Sequence, residues 1–286
     1  MLTKDMIKQY PFKSNFFMQN GVRQHYIDEG EGNVIFLIHG NPTWSFYYRN
    51  MIKSLSKTNR VIAIDHIGCG LSDKPIDYSY TLEQRVSDLD NLINSFNLES
   101  YSMMVHDWGG AIGFGHAVNH VGKISKMIIL NTAAFRSPHI PFTIKLCKLP
   151  YAGPFIVKYF NAFCYPATFM TTVKKLPRVV KDGYLLPYNS FEKRIAISEF
   201  VQDIPLNSKH RSYDMLHSIE KGLPSLDCDK LILWGGKDFC FHDKFYQKWR
   251  EVYPDAQFKY YKNAGHYVIE DEKEDTIEMV EKFLGA

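Results

Sequence analysis

The stretch SMMVHDWGGAIGFG, residues 102–115, reads as a strand that passes through a tight turn into a helix, with Asp107 at the turn. A carboxylate there has no proton to surrender, so it can attack carbon unaided. Attack on a saturated carbon gives an ordinary ester, whereas attack on an ester or amide carbonyl gives a reactive anhydride. The position therefore suits displacement at an activated alkyl carbon or opening of a strained ring. Two further groups follow along the chain, Asp238 in GGKDF and His266 in NAGHY. Their order is that of nucleophile, acid and base. Water deprotonated by His266 could hydrolyse an alkyl ester on Asp107, with Asp238 orienting the imidazole and stabilising its cation. Trp108 offers an indole N–H, a donor with no acceptor character, suited to a halide or another soft anion. The side-chain amide of Asn41 can point at the same spot, and the backbone N–H groups of Asn41 and Trp108 can form an oxyanion hole.

Each residue also has a plainer reading. Asp107 could cap the following helix, Asp238 could belong to a turn, and His266 could be a surface histidine, one of eleven in the chain. Asn41 could serve the turn before Pro42, and Trp108 could pack in the core. Three polar residues in catalytic order on three separate strand ends favour the chemical reading.

The elements that must position these groups follow from periodicity. NVIFLIHG (33–40) and RVIAIDHIG (60–68) are short apolar runs of the buried-strand kind, and YSMMVHD (101–107), KMIILN (126–131), DKLILWGGKDF (229–239) and QFKYYKNAGHY (257–267) continue the strand pattern. Between them SFYYRNMIKSLSKT has helical spacing. TLEQRVSDLDNLINSFNL (81–98) sets Leu82, Val86, Leu89, Leu92, Ile93 and Phe96 on one face, with Thr81 and Gln84 as a capping box. Further helices are expected from about Gly109 and near 274–284. Alternation of this kind implies an α/β fold with a mostly parallel central sheet and helices on both faces. From 134 to 226 the strand rhythm stops, and aromatic and proline residues crowd a stretch with helical patches. The expected organisation is a main domain of residues 1–133 and 227–286, interrupted by a helical cap at 134–226. In such a sheet the polar clusters meet at the carboxyl ends of the strands.

Composition narrows the function. The chain has 286 residues, 45% hydrophobic and 23% charged, with a formal net charge of +3 and scattered lysines and arginines. That argues against a nucleic-acid groove and for a small apolar substrate with water as co-reactant. No apolar run approaches the roughly 20 residues needed to span a bilayer, and the charged start does not resemble a signal peptide, so a cytoplasmic protein without a membrane span is expected. Cys69, Cys147, Cys164, Cys228 and Cys240 show no paired spacing and are expected to be buried thiols. HExxH-like spacing is absent, and no metal or organic cofactor is expected.

HGNPTWSFYYRN (39–50), DHIGCGLSDKP (65–75), VHDWGG (105–110) and RIAISEFVQDIP (194–205) together resemble the haloalkane dehalogenase family of α/β hydrolases. The resemblance spans nearly the whole chain and implies an α/β-hydrolase fold. It carries the nucleophile onto Asp107, the base onto His266 and the halide-binding pair onto Asn41 and Trp108. Some members have a glutamate as acid where this chain has Asn131, so the acid falls on Asp238. The four tryptophans, Trp44, Trp108, Trp234 and Trp249, leave none for a second halide ligand in the cap. Val105 stands where the strict G-x-S-x-G turn has its first glycine. This pattern is that of the third dehalogenase subfamily, which overlaps with the β-lactone decarboxylases of bacterial olefin biosynthesis, and NTAAFR and WGGKDFCFHDKF look closest to the latter.

The resemblance implies hydrolytic dehalogenation through an alkyl ester on Asp107, with cis-β-lactone decarboxylation to a long-chain alkene as the alternative. An epoxide hydrolase would need cap phenols among Tyr151, Tyr159, Tyr165, Tyr184, Tyr188 and Tyr213, and Asn41 speaks against it. A non-catalytic small-molecule receptor is the remaining reading.

Overall fold

A computed structural model describes residues 4–285; the first three residues and the last one of the expected 1–133 and 227–286 segments lie outside the described residues. Eight strands, β1 (Asn15–Gln19), β2 (Val22–Glu29), β3 (Asn33–Ile38), β4 (Asn59–Ile64), β5 (Tyr101–Asp107), β6 (Ile124–Thr132), β7 (Asp229–Gly235) and β8 (Gln257–Tyr261), form one sheet. Its order is β1-β2-β4-β3-β5-β6-β7-β8. From β4 through β3, β5, β6 and β7 to β8 all pairings are parallel. The central strands β3, β5 and β6 are covered on both faces, which is why they read as unbroken apolar runs.

The pattern did not announce β1 and β2, which pair antiparallel at the sheet edge in the register Gln19↔Val22. The turn between them is Asn20-Gly21, both at positive φ (50° and 76°), the two-residue connection that matches strand twist. Half of the expected capping box forms at the helix Leu82–Asn94. The Thr81 side chain accepts from the Gln84 backbone N–H at 3.2 Å, but the Gln84 side chain donates to Asp88 at 2.9 Å instead of reaching back. The helix after β5 starts at Trp108 and ends at Ala117.

Between β6 and β7 the described chain is helical, with six α-helices from Phe142–Cys147 to Tyr213–Gly222 and short 3-10 turns between them. This insertion is tied to the strand ends by buried hydrogen bonds. The Trp44 indole donates to the Gly183 carbonyl at 3.1 Å, and the Tyr188 hydroxyl donates to the Thr43 carbonyl at 3.1 Å. All five cysteines are free; Cys69, Cys147 and Cys164 are buried as expected, whereas Cys228 and Cys240 are only partly so. No helix among the described residues is long and apolar enough to cross a membrane.

Candidate active site

At the end of β5 the chain turns sharply, and Asp107 takes φ 52°, ψ −128°. A non-glycine residue held there costs about 1–3 kcal/mol, so the surroundings must enforce it. The Thr132 hydroxyl donates to the Asp107 carbonyl, and the Asn41 backbone N–H donates to Asp107 Oδ1 at 2.5 Å. Two glycines make the approach possible. A Cβ on Gly40 would run into the Asp107 carboxylate, and one on Gly109 into the Ile38 carbonyl. The carboxylate makes no capping hydrogen bond to its own helix, so the plain reading of Asp107 as a helix cap fails.

Asp107, Asp238 and His266 come from the ends of β5, β7 and β8 and meet in a buried cluster. His266 Nδ1 lies 2.7 Å from Asp238 Oδ2, and its Nε2 lies 3.6 Å from Asp107 Oδ2. Burial works against charge on this imidazole, but the carboxylates of Asp238 and Asp107 outweigh it and raise its pKa from 6.5 to about 10. Asp238 is also the turn residue of the plainer reading: its Oδ1 accepts from the backbone N–H groups of Cys240 at 2.6 Å and Phe241 at 3.0 Å.

Two supporting residues escaped the sequence reading. Asn131, noticed only as the place lacking a glutamate, donates through Nδ2 to Asp238 Oδ2 at 2.9 Å and to the Gly235 carbonyl at 3.0 Å. Its Oδ1 accepts from the Gly235 N–H at 2.8 Å, so one amide locks the ends of β6 and β7 together beneath Asp238. Its signal was its place at the carboxyl end of a strand. His106, the residue before Asp107, donates from Nε2 to the His266 carbonyl at 3.0 Å and stacks on Tyr47. Burial holds the His106 pKa well below 6.5, so the ring is neutral and acts as a fixed donor.

Asn41, Trp108, Asp107 and His266 all border a cavity of about 280 Å³ whose other walls are mostly apolar, among them Phe135, Ile144, Phe163, Val201 and Phe241. The side-chain amide of Asn41 donates to the Ile197 carbonyl at 3.2 Å, which occupies one of its two N–H groups. Among the described residues the Trp108 indole N–H meets no acceptor, and its ring leans on Phe200, 5.4 Å between centroids. None of the six cap phenols borders the cavity. Tyr184 donates to Glu270, Tyr188 to Thr43, Tyr213 accepts from Arg136, and Tyr151 stands almost wholly in solvent. These phenols are therefore out of reach of an epoxide oxygen in this cavity.

A second polar cluster, Asp90, His116 and His120, brings three potential ligand atoms within 4.8 Å of one another. Both ring nitrogens of His116 are already engaged, Nδ1 with Asp90 and Nε2 with the Tyr101 hydroxyl at 2.6 Å. Tyr101, His116 and Asp90 thus form a hydrogen-bonded chain, and His120 stands 3.7 Å from Asp90.

Residues 33–153 match the α/β hydrolase fold family. A cis-3-alkyl-4-alkyloxetan-2-one decarboxylase of Shewanella oneidensis is 42% identical over 283 residues, covering 96% of this chain and 89% of that protein. Haloalkane dehalogenase 2 of Mycobacterium tuberculosis is 28% identical, covering 92% and 91%. Among solved structures, the haloalkane dehalogenase DbeA of Bradyrhizobium elkani superposes with a TM-score of 0.88 at 22% identity, covering 96% of this chain and 98% of that one, which shows a common fold. The strand order, the strand-end cluster and the near-complete match to the Shewanella protein agree: this chain belongs to the α/β-hydrolase-fold enzyme family of the cis-3-alkyl-4-alkyloxetan-2-one decarboxylases, with the haloalkane dehalogenases as more distant relatives.

Proposed function

We propose that this enzyme decarboxylates cis-3,4-dialkyl β-lactones to alkenes, with Asp107 as nucleophile, Asp238 and His266 completing the triad, and residues 134–226 capping the apolar cavity. The observation that carries the choice is the high identity to the oxetan-2-one decarboxylase over almost the whole chain. An oxetan-2-one is a four-membered lactone, and its ring strain makes the saturated carbon bearing the ring oxygen an electrophile that a carboxylate can open.

In the first step an Asp107 oxygen bonds to that carbon, the ring C–O bond breaks, and the ring oxygen leaves as part of a free carboxylate. In the second, the bond from the neighbouring carbon to this carboxylate breaks, and its electron pair forms the alkene. The C–O bond to Asp107 breaks in the same step, releasing alkene and carbon dioxide and restoring the aspartate. Atoms balance without water. Inversion in the first step and anti elimination in the second preserve the relation of the two alkyl groups, so a cis lactone gives a cis alkene. The Trp108 indole N–H and the second amide N–H of Asn41 are the donors for the carboxylate freed in the first step. Protonated His266, 3.6 Å from Asp107, favours return of negative charge to the aspartate in the second.

Hydrolytic dehalogenation remains the second reading, because the free indole N–H of Trp108 also suits a halide. There the ester on Asp107 removes one of the two anions that raise the proton affinity of His266, so the imidazole can give up its proton and serve as base for water, a step the lactone reaction does not need. Oxygen labelling separates the two. In ¹⁸O-water, turnover of a cis-β-lactone is expected to yield alkene and leave the Asp107 peptide unlabelled, whereas turnover of a bromoalkane would put ¹⁸O into Asp107. Asp107→Ala is expected to lose roughly 10³-fold or more in alkene formation. Undiminished alkene formation by that variant would sink the proposal.

A further inference from the structure

We infer that the outer face of the helices Phe142–Cys147, Ala152–Phe160 and Cys164–Met170 docks on a bilayer that carries anionic phospholipid. The first and third of these helices, with the turn before the third, wall the cavity through Ile144, Cys147, Phe163 and Ala167. The outer sides of the three helices leave large apolar groups in solvent: Phe142 is 72% exposed, Phe160 70%, Tyr159 58% and Phe155 50%. More than half of the large apolar side chains exposed among the described residues fall between Phe142 and Val173. A concentration of this kind marks an interaction surface, unlike single exposed apolar residues scattered over a fold.

Charge selects the partner. Between Asp107 and Asp182 the sequence contains no aspartate or glutamate, yet it carries Lys145, Lys158, Lys174, Lys175 and Arg178 within or beside this face. Lys145, Lys174, Lys175 and Arg178 are exposed. Lys174 pairs with Glu272, Arg178 pairs with Asp182, and the exposed Glu192 follows Phe191, whose ring lies 4.2 Å from that of Tyr159, whereas among the described residues Lys145 and Lys175 have no acidic partner. Aromatic side chains that enter the headgroup boundary beside such unpaired cations are the requirements of an interfacial helix surface on anionic lipid. A second copy of this chain fits less well, since an isologous contact would set the unpaired Lys145 and Lys175 of two predominantly basic faces against each other. The docked face and the cavity share the helices Phe142–Cys147 and Cys164–Met170, so a substrate with two alkyl tails can pass from the bilayer without crossing water. That use rests on the lactone reading, whereas the docking itself does not.

Vesicle flotation of the full chain tests this. Wild type is expected to float with phosphatidylglycerol–phosphatidylcholine vesicles at low salt, and to stay behind with pure phosphatidylcholine or at high salt. Phe155→Ser with Phe160→Ser, and separately Lys145→Glu with Lys175→Glu, should each lower the bound fraction roughly tenfold or more. Both pairs should turn over a short-chain, water-soluble cis-β-lactone at the wild-type rate and fall behind only on a long-chain lactone supplied in vesicles. Wild type that fails to float, or that binds neutral and anionic vesicles alike regardless of salt, overturns the inference. So does a dimer in sedimentation that dissolves in the Phe155→Ser, Phe160→Ser variant, which would assign the face to a second copy. Vesicle binding without turnover of any lactone would leave the docking in place and overturn the substrate reading instead.

Discussion

His266 ties the strand-end cluster to stability. An imidazole in an unfolded chain titrates near 6.5, and here Asp238 and Asp107 raise it to about 10 despite burial. Folding therefore takes up a proton between those two values. The stabilisation is whole below about pH 6.5 and is lost as pH rises through about 10. The urea midpoint of the wild type is expected to fall over that window, and to fall less in Asp238→Asn, where one of the two anions is gone. Equal slopes in the two proteins would refute the assignment. Asp107, Asp238 and His266 were legible in the sequence because each ends a recognisable apolar run and the three stand in catalytic order. Asn131 and His106 were not, since their roles exist only through partners far along the chain, Asp238 for the one and His266 for the other. Nothing in the local sequence of an asparagine or a histidine announces such a partner.

At the level of elements, the strand-to-helix turn is where the local sequence is most constrained. Gly109 packs so closely under β3 that a Cβ would meet the Ile38 backbone carbonyl, whereas a Cβ on Gly40 would meet the Asp107 side chain. Backbone yields less readily than a carboxylate. Gly109→Ala is therefore expected to lower stability by about 1–3 kcal/mol in urea unfolding, since the helix Trp108–Ala117 must move off the strand. A variant with an unchanged midpoint would show that the turn has slack. Periodicity revealed β3 to β7 because burial on both faces leaves them apolar along most of their length, and it found β8 as well, although that is an edge strand in which only Tyr261 is buried. It passed over β1 and β2, whose partly exposed edge positions break the run, although Asn20-Gly21 was a usable turn signal. The acid-free stretch was hidden for a related reason: a net charge of +3 averages a basic insertion with a more acidic remainder.

For the molecule as a whole, the question is what holds the helical insertion in register with a site assembled from distant strand ends. One buried ion pair joins all three regions. Arg49, on the helix Arg49–Leu55, donates to Glu270 at 2.5 and 2.9 Å. Glu270 follows His266 by four residues and also accepts from the Tyr184 hydroxyl of the insertion. Both charged side chains are nearly excluded from solvent, and the guanidinium sits 4.4 Å over the Phe46 ring. A pair of this kind adds little relative to well-packed apolar groups, yet removing one partner strands the other's charge in the core. Arg49→Met is accordingly expected to cost about 3–5 kcal/mol in urea unfolding. Arg49→Met combined with Glu270→Leu should recover a large part of that loss, because no charge is left unpaired. If the two single substitutions simply add in the double variant, the pair does not act as a unit and the insertion must be held by its other contacts, the Trp44–Gly183 and Tyr188–Thr43 hydrogen bonds among them.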